Sequence, residues 1–150
     1  MWSDLLNTDP DWAVTVARVT LGVVFFGHGA QKLIGWFGGS GLKNTLQTMS
    51  QHLGLPPALA LGPIAAEFFG GLGLILGVLS RVDAAAIAVT MVVAIWMVHA
   101  RHGLFLNWYG NKQGHGYEYH LLAIALALVV VVRGGGALSL DQLFFNAMNA

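Results

Sequence analysis

Five ionisable side chains stand within or at the ends of stretches that are otherwise apolar. His28 and Lys32 lie near the end of the first stretch and Glu67 lies inside the second, whereas His99 ends the third and Glu118 begins the fourth. Carboxylates, imidazoles and amines are the groups that bind polar ligands and transfer protons, and inside apolar segments they commonly mark a functional site. Whether they meet depends on the elements that carry them.

The composition favours a membrane protein. Hydrophobic residues make up 56% and charged residues 9% of the 150 residues, whereas a soluble domain has about 25% charged residues. Seven Lys and Arg balance seven Asp and Glu, so the chain lacks the basic surface that nucleic-acid binding needs. Because the chain has no cysteine, it cannot itself form a disulfide, a thiolate metal site or a persulfide.

The apolar runs predict four transmembrane helices at about 13–34, 57–79, 82–100 and 117–135, since a helix needs roughly 20 residues to cross the bilayer core. Segment 42–53 carries its Leu and Met residues on one face, which predicts an amphipathic helix that Gly54 ends. We therefore predict an all-α integral membrane four-helix bundle, with a short amphipathic helix between helices 1 and 2. It forms a single membrane domain over 1–150, and both termini lie on the same side of the cell (plasma) membrane.

Local signals predict several boundaries. Asp9 is expected to cap the first helix, with Pro10 in its first turn. Ser80 and Arg81 are expected to form the short link between helices 2 and 3. The connection 101–116 mixes glycines with aromatic residues and histidines, which is typical of a binding loop and also of an aromatic loop at the membrane interface.

The ionisable groups are predicted to share one half of the membrane. Antiparallel neighbours place loops 34–57 and 101–116 on one side of the bundle, here called the loop face. At 1.5 Å per residue, His28 lies about 9 Å and Glu67 about 15 Å inside that face. We expect Glu67 to pair with His28 or Lys32, because an unpaired charge at this depth is costly.

A second pair is expected from Glu118 with His99 or Lys32. Glu118 and His120 point in opposite directions from helix 4, and we expect the acid to face the bundle interior because it is the costlier group in lipid. The four histidines outside the predicted site are expected at the solvent or the interface: His52, His102, His115 and His120. Alternatively, these residues have no role in function: the buried pairs only hold the helices together, and the basic side chains only extend to the lipid headgroups.

The strings FFGHGAQKLIG (25–35), EFFGGLGLILGVLSR (67–81), GYEYHLL (116–122) and GGALSLD (135–141), together with His99, resemble the DoxX family of small four-helix membrane proteins. The resemblance covers roughly residues 13–141. That family is similar to the membrane subunit of thiosulfate:quinone oxidoreductases, which implies a place in membrane redox complexes and quinone chemistry. The polar positions implied by the resemblance are Arg18, His28, Gln31, Lys32, Glu67, Arg81, His99, Tyr117 and Glu118.

We therefore expect a membrane subunit of a redox complex with a buried polar pocket for a quinone-like or small sulfur-containing ligand. The chain shows no flavin, iron–sulfur or nucleotide motif, so electrons must come from a redox partner subunit, and the chain is not expected to be catalytic alone. It is expected to bind that partner or a second copy in the lipid membrane, and no nucleic acid. The candidate ligand-binding residues are Arg18, His28, Lys32, Glu67, His99, Tyr117 and Glu118.

Other classes of function stay open at this point. The same residues suit a proton-coupled transporter or channel for a small solute, and a non-catalytic membrane anchor or assembly partner needs them only for structure. A haem held by His28 and His99 is chemically feasible but weakly indicated. We expect no metal site, because the acids and histidines lack close metal-ligand spacing.

Overall fold

The computed structural model describes residues 5–148, and this part of the chain is helical and contains no strand. Three of its helices are long and apolar enough to cross a membrane. The predicted all-α membrane fold is therefore confirmed. The main helices in chain order are α1 Trp12–Leu33, α2 Gly41–Leu53, α3 Pro57–Leu76, α4 Ser80–His102, α5 Glu118–Arg133 and α6 Leu140–Met148.

A cap at Asp9 predicts that helix α1 begins at Pro10, but the helix begins two residues later, at Trp12. The Asp11 carboxylate accepts hydrogen bonds from the backbone nitrogens of Ala13 (2.7 Å) and Val14 (3.4 Å), so Asp11 is the N-cap. The prediction of Asp9 as the cap was wrong. Asp9 instead forms an ion pair with Arg133 at 2.5 Å, which ties the start of α1 to the end of α5.

The predicted amphipathic helix is present as α2. Its end is set by Gly54, whose φ of 66° lies in the left-handed region that favours glycine. The inner face of α2 contacts the end of α1, where the Thr45 hydroxyl donates to the carbonyl of Lys32 at 3.2 Å. Helix α2 therefore packs beside the loop-face end of the bundle.

Glycines bring α1 and α3 into close backbone contact. A Cβ added at Gly29 would overlap the backbone of Phe68, and one added at Gly71 would overlap the backbone of Phe26. Glycine at both positions lets the helix axes approach more closely than larger side chains would allow. This contact fixes the end of α1 that carries Lys32 against the middle of α3.

The turn between α3 and α4 covers residues 77–79, not the predicted Ser80–Arg81. Gly77 ends α3 with φ 71°, and Leu79 precedes α4 with φ 48°. The Asp141 carboxylate, from the start of α6, accepts hydrogen bonds from the nitrogens of Leu79 (2.7 Å) and Ser80 (2.8 Å). These nitrogens are free at a helix start, so a distant acid caps α4 where no local side chain does.

Helix α5 ends at Arg133, two residues before the predicted end, because Gly134 adopts φ 86°. It packs against α4 and α1. The core they share with α3 is apolar and contains Leu21, Phe25, Leu74, Ala84, Ile87, Met91, Ala123, Ala127 and Val130.

Candidate functional site

A cavity of about 410 Å³ opens among α1, α3, α4 and α5 in the loop-face half of the bundle. Loop 103–117 contributes to one wall of the cavity. The lining combines apolar walls with a dense group of ionisable side chains. The apolar members are Phe25, Met91, Ala94 and Leu106, and the polar members are His28, Lys32, Glu67, His99, His115, Tyr119 and His120.

An ion pair between Lys32 and Glu67 lies in the cavity wall. The Lys32 ammonium contacts both carboxylate oxygens of Glu67, at 2.6 and 2.5 Å, and joins α1 to α3. The Glu67 side chain is 4% exposed and that of Lys32 is 30% exposed. One of the two predicted partners of Glu67 is thus confirmed. The pair neutralises a carboxylate that would otherwise be isolated in an apolar wall.

Two π-helical turns present polar residues to the cavity. Glu67 lies in the turn Ala66–Gly70 of α3, just after Pro63, and His99 ends the turn Ile95–His99 of α4. Pro63 has no N–H to donate within the helix, which loosens the ladder ahead of the wider turn. Such insertions are frequent at functional sites, because they turn a side chain away from the regular helical register.

Aromatic and imidazole rings form a continuous column along the cavity. The His28 ring lies 6.3 Å from the Tyr119 ring, the Tyr119 ring 5.5 Å from that of His120, and the His120 ring 4.1 Å from that of His99. The column joins α1, α5 and α4. It places several groups that can donate or accept a proton in ring contact along the cavity, whereas the Tyr119 hydroxyl and the His120 Nδ1 have no hydrogen-bond partner.

The column continues into the loop that covers the cavity. His99 donates from Nδ1 to the carbonyl of His115 at 2.8 Å, and His115 accepts at its own Nδ1 from the nitrogen of Asn107 at 3.2 Å. His115 is exposed, so the column ends near solvent at the loop face.

Within the described residues, no group of three or more His, Asp or Glu side chains is placed to hold a metal ion.

Glu118 holds the loop and does not line the cavity. Its carboxylate accepts hydrogen bonds from the backbone nitrogen of Leu106 (3.1 Å) and the indole nitrogen of Trp108 (3.0 Å). The expected pairing with His99 or Lys32 is absent. The prediction that Glu118, and not His120, faces the bundle interior was wrong: His120 is 7% exposed and lines the cavity.

The structure does not bring Arg18 or Tyr117 to the cavity. Arg18 is 1% exposed and lies at the opposite end of the bundle, where its guanidinium donates to backbone carbonyls of α3 and of the segment before α6. Those acceptors are Leu74, Ile75, Gly135 and Leu138. Tyr117 lies at the start of α5, and its nitrogen donates to the carbonyl of Gly103 at 3.2 Å. Both residues therefore contact backbone that shapes the fold.

Sequence reasoning missed three polar residues of the cavity wall, Tyr119, His115 and His120. The last two were expected at the solvent or the interface, and the expectation for His120 was wrong. The signal for Tyr119 and His120 was the helical spacing from the buried residues Ala123 and Ala127. Residues separated by three or four positions share a helix face, so Tyr119, His120 and these alanines point to the same interior.

The sequence pattern of the DoxX family matches residues 13–100, which is more than half of the chain. The chain belongs to the DoxX family. A Bacillus subtilis protein named "Putative oxidoreductase CatD" is 27% identical over 141 residues, which cover 94% of this chain and 93% of that protein. A Haemophilus influenzae protein named "Uncharacterized protein" is 34% identical over 70 residues, or 47% of this chain and 42% of that protein. No solved structure matches the chain.

The polar positions implied by the DoxX resemblance separate into two groups in this structure. Four of them, His28, Lys32, Glu67 and His99, line the cavity. The others contact backbone elsewhere; Gln31, for example, donates to the carbonyl of Phe37 at 3.3 Å. Arg81 donates to the carbonyls of Asn7, Val131 and Val132 and so joins the start of α4 to the end of α5. A DoxX protein can therefore need these positions for two different reasons.

Proposed function

We propose that this DoxX protein is the membrane subunit of a redox complex, and that its cavity binds a quinone-like or small sulfur-containing ligand. The observation that carries the proposal is the Lys32–Glu67 ion pair in the wall of a largely apolar cavity, beside histidines and a tyrosine. The full-length similarity to a protein named as an oxidoreductase supports the redox assignment.

The cavity fits such a ligand in size and chemistry. Its volume of about 410 Å³ lies within the range of about 300–1,000 Å³ that is typical of small-molecule sites. Phe25, Met91 and Leu106 offer apolar contact to a ring, and Lys32 offers a donor. A quinone, when bound, supplies two-electron carrier chemistry that needs two protons. This chain therefore has to bind the ligand, orient it and exchange protons with it.

The residues divide these tasks according to their positions. Lys32 is partly exposed, so its ammonium can donate a hydrogen bond to a ligand oxygen while Glu67 keeps it in place. Glu67 is nearly inaccessible and positions Lys32. His28 and His99 lie at the two ends of the ring column, and His99 donates to the backbone of the exposed His115; we propose that these two imidazoles exchange protons between the ligand and solvent.

A redox partner is part of the proposal, because the chain carries no motif for a flavin, an iron–sulfur cluster or a nucleotide. We place the protein in the cell membrane with both termini on the same side, and we propose that it associates with an electron-donating subunit or with a second copy. If the reaction involves a thiol or a persulfide, that sulfur atom belongs to a partner or to the substrate, since the chain has no cysteine.

The test uses the intact protein purified in mild detergent. Its visible spectrum is recorded, bound quinone is extracted and measured by mass spectrometry, and thiosulfate binding is measured by calorimetry. Lys32→Met is compared with Lys43→Met, because Lys43 is an exposed lysine on α2. We expect a ligand in the wild type and in Lys43→Met that is lost from Lys32→Met.

Two other results would redirect the assignment. If neither quinone nor thiosulfate binds, the redox-ligand proposal fails, and a proton-coupled transporter or a membrane anchor becomes the better reading. A Soret band in the visible spectrum would show that the protein binds haem, and the redox-ligand proposal would be replaced by a haem-protein assignment. Equal ligand content in Lys32→Met and Lys43→Met would remove Lys32 from the site.

A further inference from the structure

Two buried polar atoms in the wall of the cavity have no hydrogen-bond partner. They are the hydroxyl oxygen of Tyr119 and the Nδ1 atom of His120, which are neighbours in the first turn of α5. Buried polar groups are nearly always paired, so each unpaired one needs an explanation. Because both residues line the same cavity, one explanation accounts for both atoms: a ligand completes their hydrogen bonds.

Most of the protein groups around these atoms are already engaged or are apolar; the remaining polar neighbour, the His28 ring, lies 6.3 Å from the Tyr119 ring and does not pair with the Tyr119 hydroxyl. Phe25 packs at 6.4 Å from the Tyr119 ring and offers only carbon. His99 stacks at 4.1 Å from the His120 ring, and its Nδ1 already donates to the carbonyl of His115. Both carboxylate oxygens of Glu67 accept from Lys32. No protein group therefore satisfies the hydroxyl or the imidazole nitrogen in this structure.

The charges of the cavity restrict the kind of ligand. Lys32 and Glu67 compensate each other at 2.5 Å, so the pair leaves no net charge to attract an ion into the wall. An anion entering this largely apolar cavity would lose its hydration without gaining an unpaired lysine or arginine, and only the imidazoles of the lining could offer it a positive charge. A neutral molecule with hydrogen-bonding oxygens loses much less hydration free energy when it enters the cavity.

We infer that Tyr119 and His120 bind the oxygen-bearing head of an uncharged ligand of the quinone type, with the Tyr119 hydroxyl donating to a carbonyl oxygen. This inference rests on the proposed function and selects one of its two ligand classes. Neighbouring atoms cover both polar atoms, so binding requires a small rotation of each ring towards the cavity.

The test measures the affinity of the purified protein for 2-methyl-1,4-naphthoquinone and for thiosulfate, together with thermal stability. Tyr119→Phe removes only the unpaired hydroxyl, and Tyr109→Phe is its control because Tyr109 is 91% exposed at a loop tip. We expect Tyr119→Phe to weaken quinone binding by about three- to tenfold, which is typical of one lost neutral hydrogen bond. We expect its midpoint of unfolding to stay the same or rise, because an unsatisfied buried group has been removed.

A second pair of variants tests His120 in the same way. His120→Leu removes the hydrogen-bonding atom, whereas His120→Asn keeps one at a similar distance from the backbone. We expect weaker quinone binding in His120→Leu and partial recovery in His120→Asn. A purely structural role would lower the midpoint of unfolding in both variants and would not restore affinity in His120→Asn.

The outcomes separate this inference from the proposed function. If the wild type binds neither probe, the proposed function fails and the inference falls with it. If the wild type binds the quinone but Tyr119→Phe and His120→Leu bind it equally well, only the assignment of these two residues is overturned. If thiosulfate binds more tightly than the quinone, the uncharged ligand class is overturned.

Discussion

The Lys32–Glu67 pair should show strong energetic coupling that can be measured without knowing the ligand. Its two partners differ in access to water, with Glu67 4% and Lys32 30% exposed. Lys32→Met leaves a buried carboxylate without a counter-charge, and we expect a cost of about 3 kcal/mol. Glu67→Gln leaves a lysine whose long side chain can turn towards loop-face water, and we expect a cost of about 1 kcal/mol.

The double variant Lys32→Met/Glu67→Gln removes both charges and leaves one buried amide to satisfy. We expect it to be about 1 kcal/mol less stable than the wild type, whereas independent effects would give about 4 kcal/mol. The difference, about 3 kcal/mol, is the coupling energy of the pair.

The assay is reversible unfolding in mixed detergent micelles, with the four proteins of the cycle measured under the same conditions. We expect Lys32→Met to lose more unfolding free energy than Glu67→Gln. The double variant should be about as stable as Glu67→Gln. A double variant near 4 kcal/mol would show that the contact contributes no coupling. Equal costs for the two single variants would contradict the argument from exposure.

The other predictions concern the parts of the fold that surround the cavity. Gly29→Ala places a Cβ against the backbone of Phe68, and we expect a loss of about 3 kcal/mol in the same unfolding assay. Arg18→Met leaves buried carbonyls at the far end of the bundle without their donor, so we expect a loss of at least about 3 kcal/mol with unchanged ligand affinity in the protein that remains folded. Glu118→Gln weakens the hold on the loop, and we expect hydrogen exchange at the nitrogen of Leu106 to become about fivefold faster; unchanged exchange would show that Glu118 does not hold the loop.

The helices and the main ion pair were accessible from the sequence because each follows from a single strong constraint. Hydropathy over about 20 residues locates spans such as Trp12–Leu33, since lipid excludes unpaired backbone and charge from the bilayer core. The same exclusion requires a partner for Glu67. His28 and Lys32 are the basic residues in the loop-face part of helix 1, so the candidates for that partner were few.

The contacts made by long loops and by backbone carbonyls were not accessible in the same way. Glu118 was expected inside the bundle because it is an acid, but it binds Leu106 and Trp108 from a loop whose path has no hydropathy signal. His120 was expected outside for the same reason, since the choice between the two was made by charge. Arg18 was assigned to the site by the DoxX resemblance, but its acceptors are carbonyls that any sequence would supply.

The two ends of the bundle use polar residues in opposite ways, and this difference argues for a ligand site at the loop face. At the far end, Arg18 and Asp141 bind backbone atoms, so their hydrogen bonds complete helix ends and turns and leave little for a ligand to add. In the cavity, the side chains of Lys32 and Glu67 bind each other, and the Tyr119 hydroxyl and the His120 Nδ1 have no hydrogen-bond partner within the described structure. One buried atom at the far end, the hydroxyl oxygen of Ser80, is also unpaired, so unpaired atoms by themselves do not distinguish the two ends. What distinguishes the loop-face end is that its two unpaired atoms belong to residues that line a cavity of ligand size, where π-helical turns redirect Glu67 and His99.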